Sequence, residues 1–270
     1  MRVRQIIIES LKLPLTDYKS FLTVFLLLFL CEVISQVSYS FKIGEYYLLF
    51  VFIRSIVSLI LIGLSMNIVN HVVFNKSIHL HFKQHFKEGL NEYVLTLFYL
   101  LIPLILSLFF IYITGLYSIV VDIREYILQM DIDSAALTVE ELSHVLPESM
   151  TIDFLHTFQL HSLFTLFLYV LFTSFSFIGR ILMFKYGNLK MALDLRNIFI
   201  VVRNIGCLRF MKFVLIFTII LIFVVNLLVI LGAVFDDVLL STFFEVFLLF
   251  FATNAFYKLY FDNTASNELD

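Results

Sequence analysis

The stretch FVLIFTIILIFVVNLLVILGAVFDDVLLSTFFEVFLLFFATNAFYK, residues 213–258, decides the fold. Its two long apolar runs are separated only by the acid pair Asp236-Asp237. As a single helix it would be about 69 Å long at roughly 1.5 Å per residue. That is about twice the ~30 Å hydrocarbon core of a bilayer, with two carboxylates at its midpoint. A hairpin that brings the acid pair to the surface is far cheaper. The stretch therefore reads as two membrane crossings, 213–235 and 238–258.

The rest of the chain has the same character. It is 61% hydrophobic and only 14% charged, with 33 Phe, 13 Tyr and no Trp. Soluble domains carry about 25% charged residues, so the composition excludes a water-soluble fold. With 8 Gly and 3 Pro in 270 residues, most apolar runs can be unbroken helices. Four further runs are long enough to span, at about 20–37, 46–69, 93–120 and 157–183. The chain is expected to be one integral membrane domain, 1–270. The basic N-terminal stretch leads into a run that continues past Cys31 without a small-residue cleavage site, and it reads as an uncleaved first crossing. Cys31 and Cys207 do not form a disulfide framework.

Charge sets the expected orientation. Segments 1–19, 70–92, 180–212 and 258–270 hold 15 of the 18 basic residues. The alternate segments hold Lys42 and Arg124, and Arg54 lies within a crossing. By the positive-inside rule, both termini are cytoplasmic in a multi-pass protein of the cell membrane. The segment 121–156 is then external and acidic, and SAALTVEELSHVL within it has helical spacing.

The basic segments are themselves patterned. HFKQHFKEGL aligns Phe82, Phe86 and Leu90 beside Lys83 and Lys87. ALDLRNIFIVVRNIGCLRFMKF sets Arg196 and Arg203 seven apart, with Leu195, Phe199, Val202 and Ile205 as an apolar side. RQIIIESLKLPLTDYKSF is a third version. The chain thus reads as three units, each an in-plane amphipathic segment followed by two crossings. The expected class is all-α: six transmembrane helices with in-plane amphipathic helices between hairpins. Lys83, Lys87, Arg196, Arg203, Arg209 and Lys212 form a cytoplasmic basic face for lipid or a protein partner. The external acidic segment is a second candidate partner surface. No nucleic-acid partner is expected.

LKLPLTDYKSFL, with Leu13, Pro14, Asp17 and Tyr18, resembles the opening motif of the domain of unknown function 4013 family of prokaryotic, largely archaeal, membrane proteins. FKEGLNEYVLTLFYLLIPLIL is similar to the family's central signature at Phe86, Gly89, Leu90, Tyr99, Ile102 and Pro103. YGNLKMALDLRNIFIVVRNIG is similar to the third at Gly187, Leu189, Ala192, Leu195, Ile198, Ile205 and Gly206. The matches fall in family order over most of residues 8–260. Two departures are NKSIHLHFKQHF, in place of an acidic, Trp-containing approach, and the length of the external segment. There is a looser, fold-level likeness to membrane domains attached to some glycerophosphodiester phosphodiesterases, which transfers no activity. The resemblance implies a fold and no biochemistry.

Four polar residues fall in one layer of the crossings. Glu32 and Arg54 lie roughly 8 and 12 Å below the outer surface at about 1.5 Å per residue, and Asn226 and Glu245 lie at similar depth. Such charges cost a few kcal/mol unless paired or wet. Three readings compete: a functional pocket open to the outside, an ion pair of Arg54 with Glu32 or Glu245 that fixes helix register, or an Arg54 that snorkels outward. His81 and His85 are spaced to share a metal, but no further ligand completes a set, and His156 and His161 read as interfacial. No nucleotide-binding glycine loop, serine-nucleophile turn or metalloprotease helix occurs. No cofactor, metal or catalytic residue is expected. The leading expectation is a non-enzymatic scaffold or accessory protein; the alternative is a transporter or channel for a small or lipidic solute.

Overall fold

The computed structural model describes residues 3–40, 47–74, 81–129, 146–232 and 237–267, and no strand occurs among them. The helices are α1 Val3–Thr16, α2 Tyr18–Ser40, α3 Tyr47–Phe74, α4 Phe82–Ile113 and α5 Leu116–Gln129. They continue with α6 Glu148–Tyr186, α7 Leu189–Leu193, α8 Leu195–Ile205, α9 Cys207–Gly232 and α10 Asp237–Asn267. Among the described residues, five helices are long and apolar enough to cross a membrane: α3, α4, α6, α9 and α10. The expected crossing at 20–37 falls on α2, whose 23 residues span about 34 Å. An all-α fold built for the bilayer is the result.

The hairpin read from Asp236-Asp237 is there. Phe217 meets Phe251 at 5.9 Å, Phe213 meets Phe256 at 4.8 Å, and Arg209 meets Asp262 at 2.6 Å. One number falls as the other rises, so α9 and α10 are antiparallel. Residues 233–236 lie outside the described residues.

Two sequence expectations need correction. The basic segment at 82–90 is helical but is not a separate in-plane helix. It is the start of α4, which runs 32 residues, about 48 Å, without a break. The only glycine in that stretch, Gly89, does not interrupt the helix because it packs directly against α3. The crossing drawn at 93–120 ends early: α4 stops at Ile113 and α5 begins at Leu116. The stop is local. Gly115 takes a φ of +73°, open to glycine at little cost, and the Thr114 hydroxyl donates to the Phe110 carbonyl at 2.9 Å.

The chain divides into two compact units, Met1–Leu97 with Ser174–Asp270, and Phe98–Thr173. In the first, Val24 of α2, Ile68, Val69 and Val73 of α3, and Val246 and Phe250 of α10 form one core cluster. A second is phenylalanine-rich: Phe177 of α6 stacks on Phe256 at 5.1 Å, which meets Phe213 and Phe217 of α9 edge-on. Lipid removes most of the hydrophobic drive between helices, so shape and ring geometry carry the packing, at about 0.5–1.5 kcal/mol per aromatic pair.

The second unit has its own small core of Ile123 and Ile127 of α5 with Leu146. Within it, Phe110 stacks on Phe164 at 3.9 Å. The helix expected at SAALTVEELSHVL lies, but for Leu146, outside the described residues.

Candidate functional site

The end of the first unit that carries the basic connections is tied by charge. Three residues near the C-terminus of α10 each reach a different helix. Lys258 donates to Glu9 of α1 at 2.6 Å, Lys185 of α6 donates to the Tyr260 hydroxyl at 3.0 Å, and Arg209 of α9 donates to Asp262 at 2.6 Å. Lys258 and Asp262, four residues apart, share one side of the helix and Tyr260 lies on the other, so a single segment reaches three partners. The Lys258 ammonium holds the half-exposed Glu9 carboxyl below the ordinary carboxylate range.

Deeper lies a buried ion pair. Arg180 of α6 donates to Glu92 of α4 at 2.5 Å, with side chains 18% and 6% exposed. The guanidinium also covers the Phe177 ring at 4.6 Å, and the Thr96 hydroxyl donates to the same carboxylate at 3.4 Å. Glu92 belongs to a buried stripe on α4: His85, Gly89, Glu92, Leu95 and Tyr99. His85 is 5% exposed, and Glu88 Oε2 stands 3.7 Å from its Nδ1. Gly89 faces Gly63 of α3 so closely that a Cβ on Gly63 would overlap the His85 carbonyl oxygen. Paired glycines let two backbones touch, a device common in membrane helices.

The residues named from sequence are distributed as follows. Lys83, Lys87, Arg196, Arg203 and Lys212 are exposed, while Arg209 is half-buried in its pair with Asp262. On α8 the buried side is Ile198, Val201, Val202 and Ile205, so the apolar side drawn through Leu195 and Phe199 is rotated, and Phe199 is exposed. Asp194 caps the start of α8 by accepting from the Arg196 N–H at 3.0 Å, and Gly206, at φ +91°, ends it. These two caps make α8 a separate helix between α7 and α9.

Of the polar layer, Glu32 on α2 and Glu245 on α10 are both exposed. Arg54 is half-buried on α3. Asn226 is exposed, and its Nδ2 donates to the Ile222 carbonyl of its own helix at 2.7 Å.

His81 precedes α4 and is exposed, whereas His85 is buried, so the two do not present one metal-binding face. No cluster of three metal-ligating side chains occurs among the described residues. In the second unit, His161 is more than interfacial. Its Nε2 lies 3.4 Å from Ser107 Oγ and 3.3 Å from Thr165 Oγ1, and the two hydroxyls are 2.9 Å apart. The cluster joins α4 to α6 and stacks beside Phe110.

Sequence reasoning missed Glu92–Arg180, Gly63–Gly89 and the three-way clasp. One signal was present: 85, 89, 92 and 99 recur at helical spacing and carry a histidine, a glycine, an acid and a tyrosine on one side of an otherwise apolar helix.

These features define a multi-pass helical membrane protein with an ionic, exposed-basic end. Compared with the known families, with curated proteins and with solved structures, the chain matches none.

Proposed function

We propose that the chain is a non-enzymatic scaffold or accessory protein of the cell membrane, with both termini cytoplasmic, that engages membrane lipid or a protein partner through its basic end. The observation that carries this reading is the division of labour among the basic side chains. Arg209, Lys258, Lys185 and Arg180 are bound internally and hold the helices together. Lys83, Lys87, Arg196, Arg203 and Lys212 are exposed and in no ion pair among the described residues. Outward cations at a membrane boundary attract anionic lipid or an acidic partner surface. The ordered resemblance to the domain of unknown function 4013 family supports the same membrane architecture, and we propose membership of it.

Replacing the five outward residues by Gln tests the reading. The variant should fold, insert and lose co-purifying anionic lipid or protein. Unchanged co-purification would overturn it. Orientation is tested in the same background with Cys31 and Cys207 replaced. An impermeant thiol reagent on intact cells should label a cysteine near Glu140 and spare one near Arg196.

A transporter or channel is the second reading. What supports it is that ionisable residues, Glu32, Arg54 and Glu245, occur within the apolar runs. It requires substrate flux in liposomes that Glu32→Gln abolishes without loss of folding.

A further inference from the structure

The outer face of α8 keeps two arginines and two apolar side chains largely exposed, although Phe199 also meets Phe175 edge-on at 5.6 Å. At about 100° per residue, Arg196 and Arg203 fall nearly in line along the helix, with Phe199 to one side and Ile200 to the other. The opposite side, Ile198, Val201, Val202 and Ile205, is buried against the protein. Phe199 and Ile200 nevertheless remain 56% and 57% exposed, and neither guanidinium is in an ion pair among the described residues. A cationic ridge between two bulky apolar side chains suits neither water nor hydrocarbon alone. It suits the boundary where phosphates lie above acyl chains. The next helix, α9, begins one residue beyond Gly206 and is itself a spanning candidate, so α8 adjoins that boundary.

We propose that this face is a docking site for anionic phospholipid. Arg196 and Arg203 each take a phosphate, while Phe199 and Ile200 enter between the upper acyl chains. Seven residues put the two guanidinium stems about 10.5 Å apart, a spacing that fits two neighbouring headgroups or one lipid with two phosphates. Charge decides the lipid class: two unpaired arginines complement a net-negative headgroup, and a zwitterionic one offers no net attraction. The inference rests on the reading of the basic end as an interaction surface, and it names both the occupant and the residues.

The chain has no Trp, so Phe199→Trp makes a single fluorescent reporter on this face. The protein is reconstituted into phosphatidylcholine–phosphatidylglycerol nanodiscs in which one lipid or the other is brominated on its acyl chains, at equal mole fraction. Brominated phosphatidylglycerol should quench at least about twofold more than brominated phosphatidylcholine, and the preference should shrink with added salt. Arg196→Gln with Arg203→Gln should equalise the two while leaving quenching itself intact. Equal quenching in the unmodified-arginine protein would overturn the lipid assignment, as would no quenching by either lipid. Ile200→Trp provides a second reporter should a Trp at 199 disturb its edge-on contact with Phe175. If selectivity is lost here but anionic lipid still co-purifies through the other outward cations, the assignment to α8 fails while the broader reading stands.

Discussion

Alanine at Gly63 should destabilise this protein, although alanine is normally the better helix former. In an open helix, Gly→Ala is favourable by about 0.8–1.0 kcal/mol. Here the new Cβ would overlap the His85 carbonyl oxygen and lie 2.8 Å from both the His85 carbonyl carbon and the Gly89 nitrogen. All three are backbone atoms of α4, so none can rotate aside. Ordinary contact begins near 3.4 Å, so relieving the overlap with the His85 oxygen requires α3 and α4 to part by well over an ångström at the crossing. A gap of about 0.5–1 Å already forfeits a quarter to a half of each contact's attraction, and overpacking of this kind costs about 1–3 kcal/mol. With backbone atoms that cannot yield, the cost lies at the upper end of that range, for a net loss of up to roughly 2 kcal/mol after the propensity gain. Gly89→Ala should behave alike, since its Cβ would overlap the Leu59 carbonyl oxygen. The double variant should cost less than the sum, because one separation makes room for both methyl groups. Titration of mixed micelles with dodecyl sulfate, followed by far-ultraviolet circular dichroism, measures each value. A Gly63→Ala protein as stable as the parent, or more so, would refute the close approach.

Neutralising one member of the Glu92–Arg180 pair, by Glu92→Gln or Arg180→Leu, should cost about 3 kcal/mol, near the lower end for buried pairs because Arg180 keeps some exposure. Replacing both by Leu should recover most of that loss in the same titration, and strictly additive losses would deny the pairing. Asn226→Leu should change stability by no more than about 0.5 kcal/mol, because its amide serves its own helix; a loss of several-fold that size would mean the residue belongs to a polar site. The depressed Glu9 carboxyl contributes stability that is fully present above its unfolded-state value and is lost as pH falls through its lower folded-state value. The parent should therefore lose its advantage over Glu9→Gln on acidification from neutral pH to below the carboxylate range, and an advantage that does not change with pH would exclude the linkage.

The parts of this fold legible in the sequence are those set by bilayer thickness. Asp236-Asp237 can mark a turn because any alternative buries two charges, and that argument needs no partner. The helix at 195–205 was legible only as part of a longer amphipathic segment; its ends at Asp194 and Gly206 come from the structure. Contacts between helices were not visible. Glu92 and Arg180 look like charges at segment ends, and only the packing of α4 against α6 makes them neighbours. Gly63 sits in an apolar run with nothing local to say that another glycine will face it. For the polar layer, depth follows from counting residues, but direction around the helix does not. Asn226, for example, turns its amide nitrogen to its own backbone, which no residue count could show.

The ordering of Lys258, Tyr260 and Asp262 along α10 bears on how the chain is made. Glu9, Lys185 and Arg209 leave the ribosome well before their partners do, Glu9 by almost the whole length of the protein. Until α10 is inserted, these earlier side chains wait at the membrane boundary with their charges unanswered. The bundle is therefore latched from its C-terminal side, and a nascent chain stopped before Lys258 would leave the translocon with its spans inserted and its ends still loose.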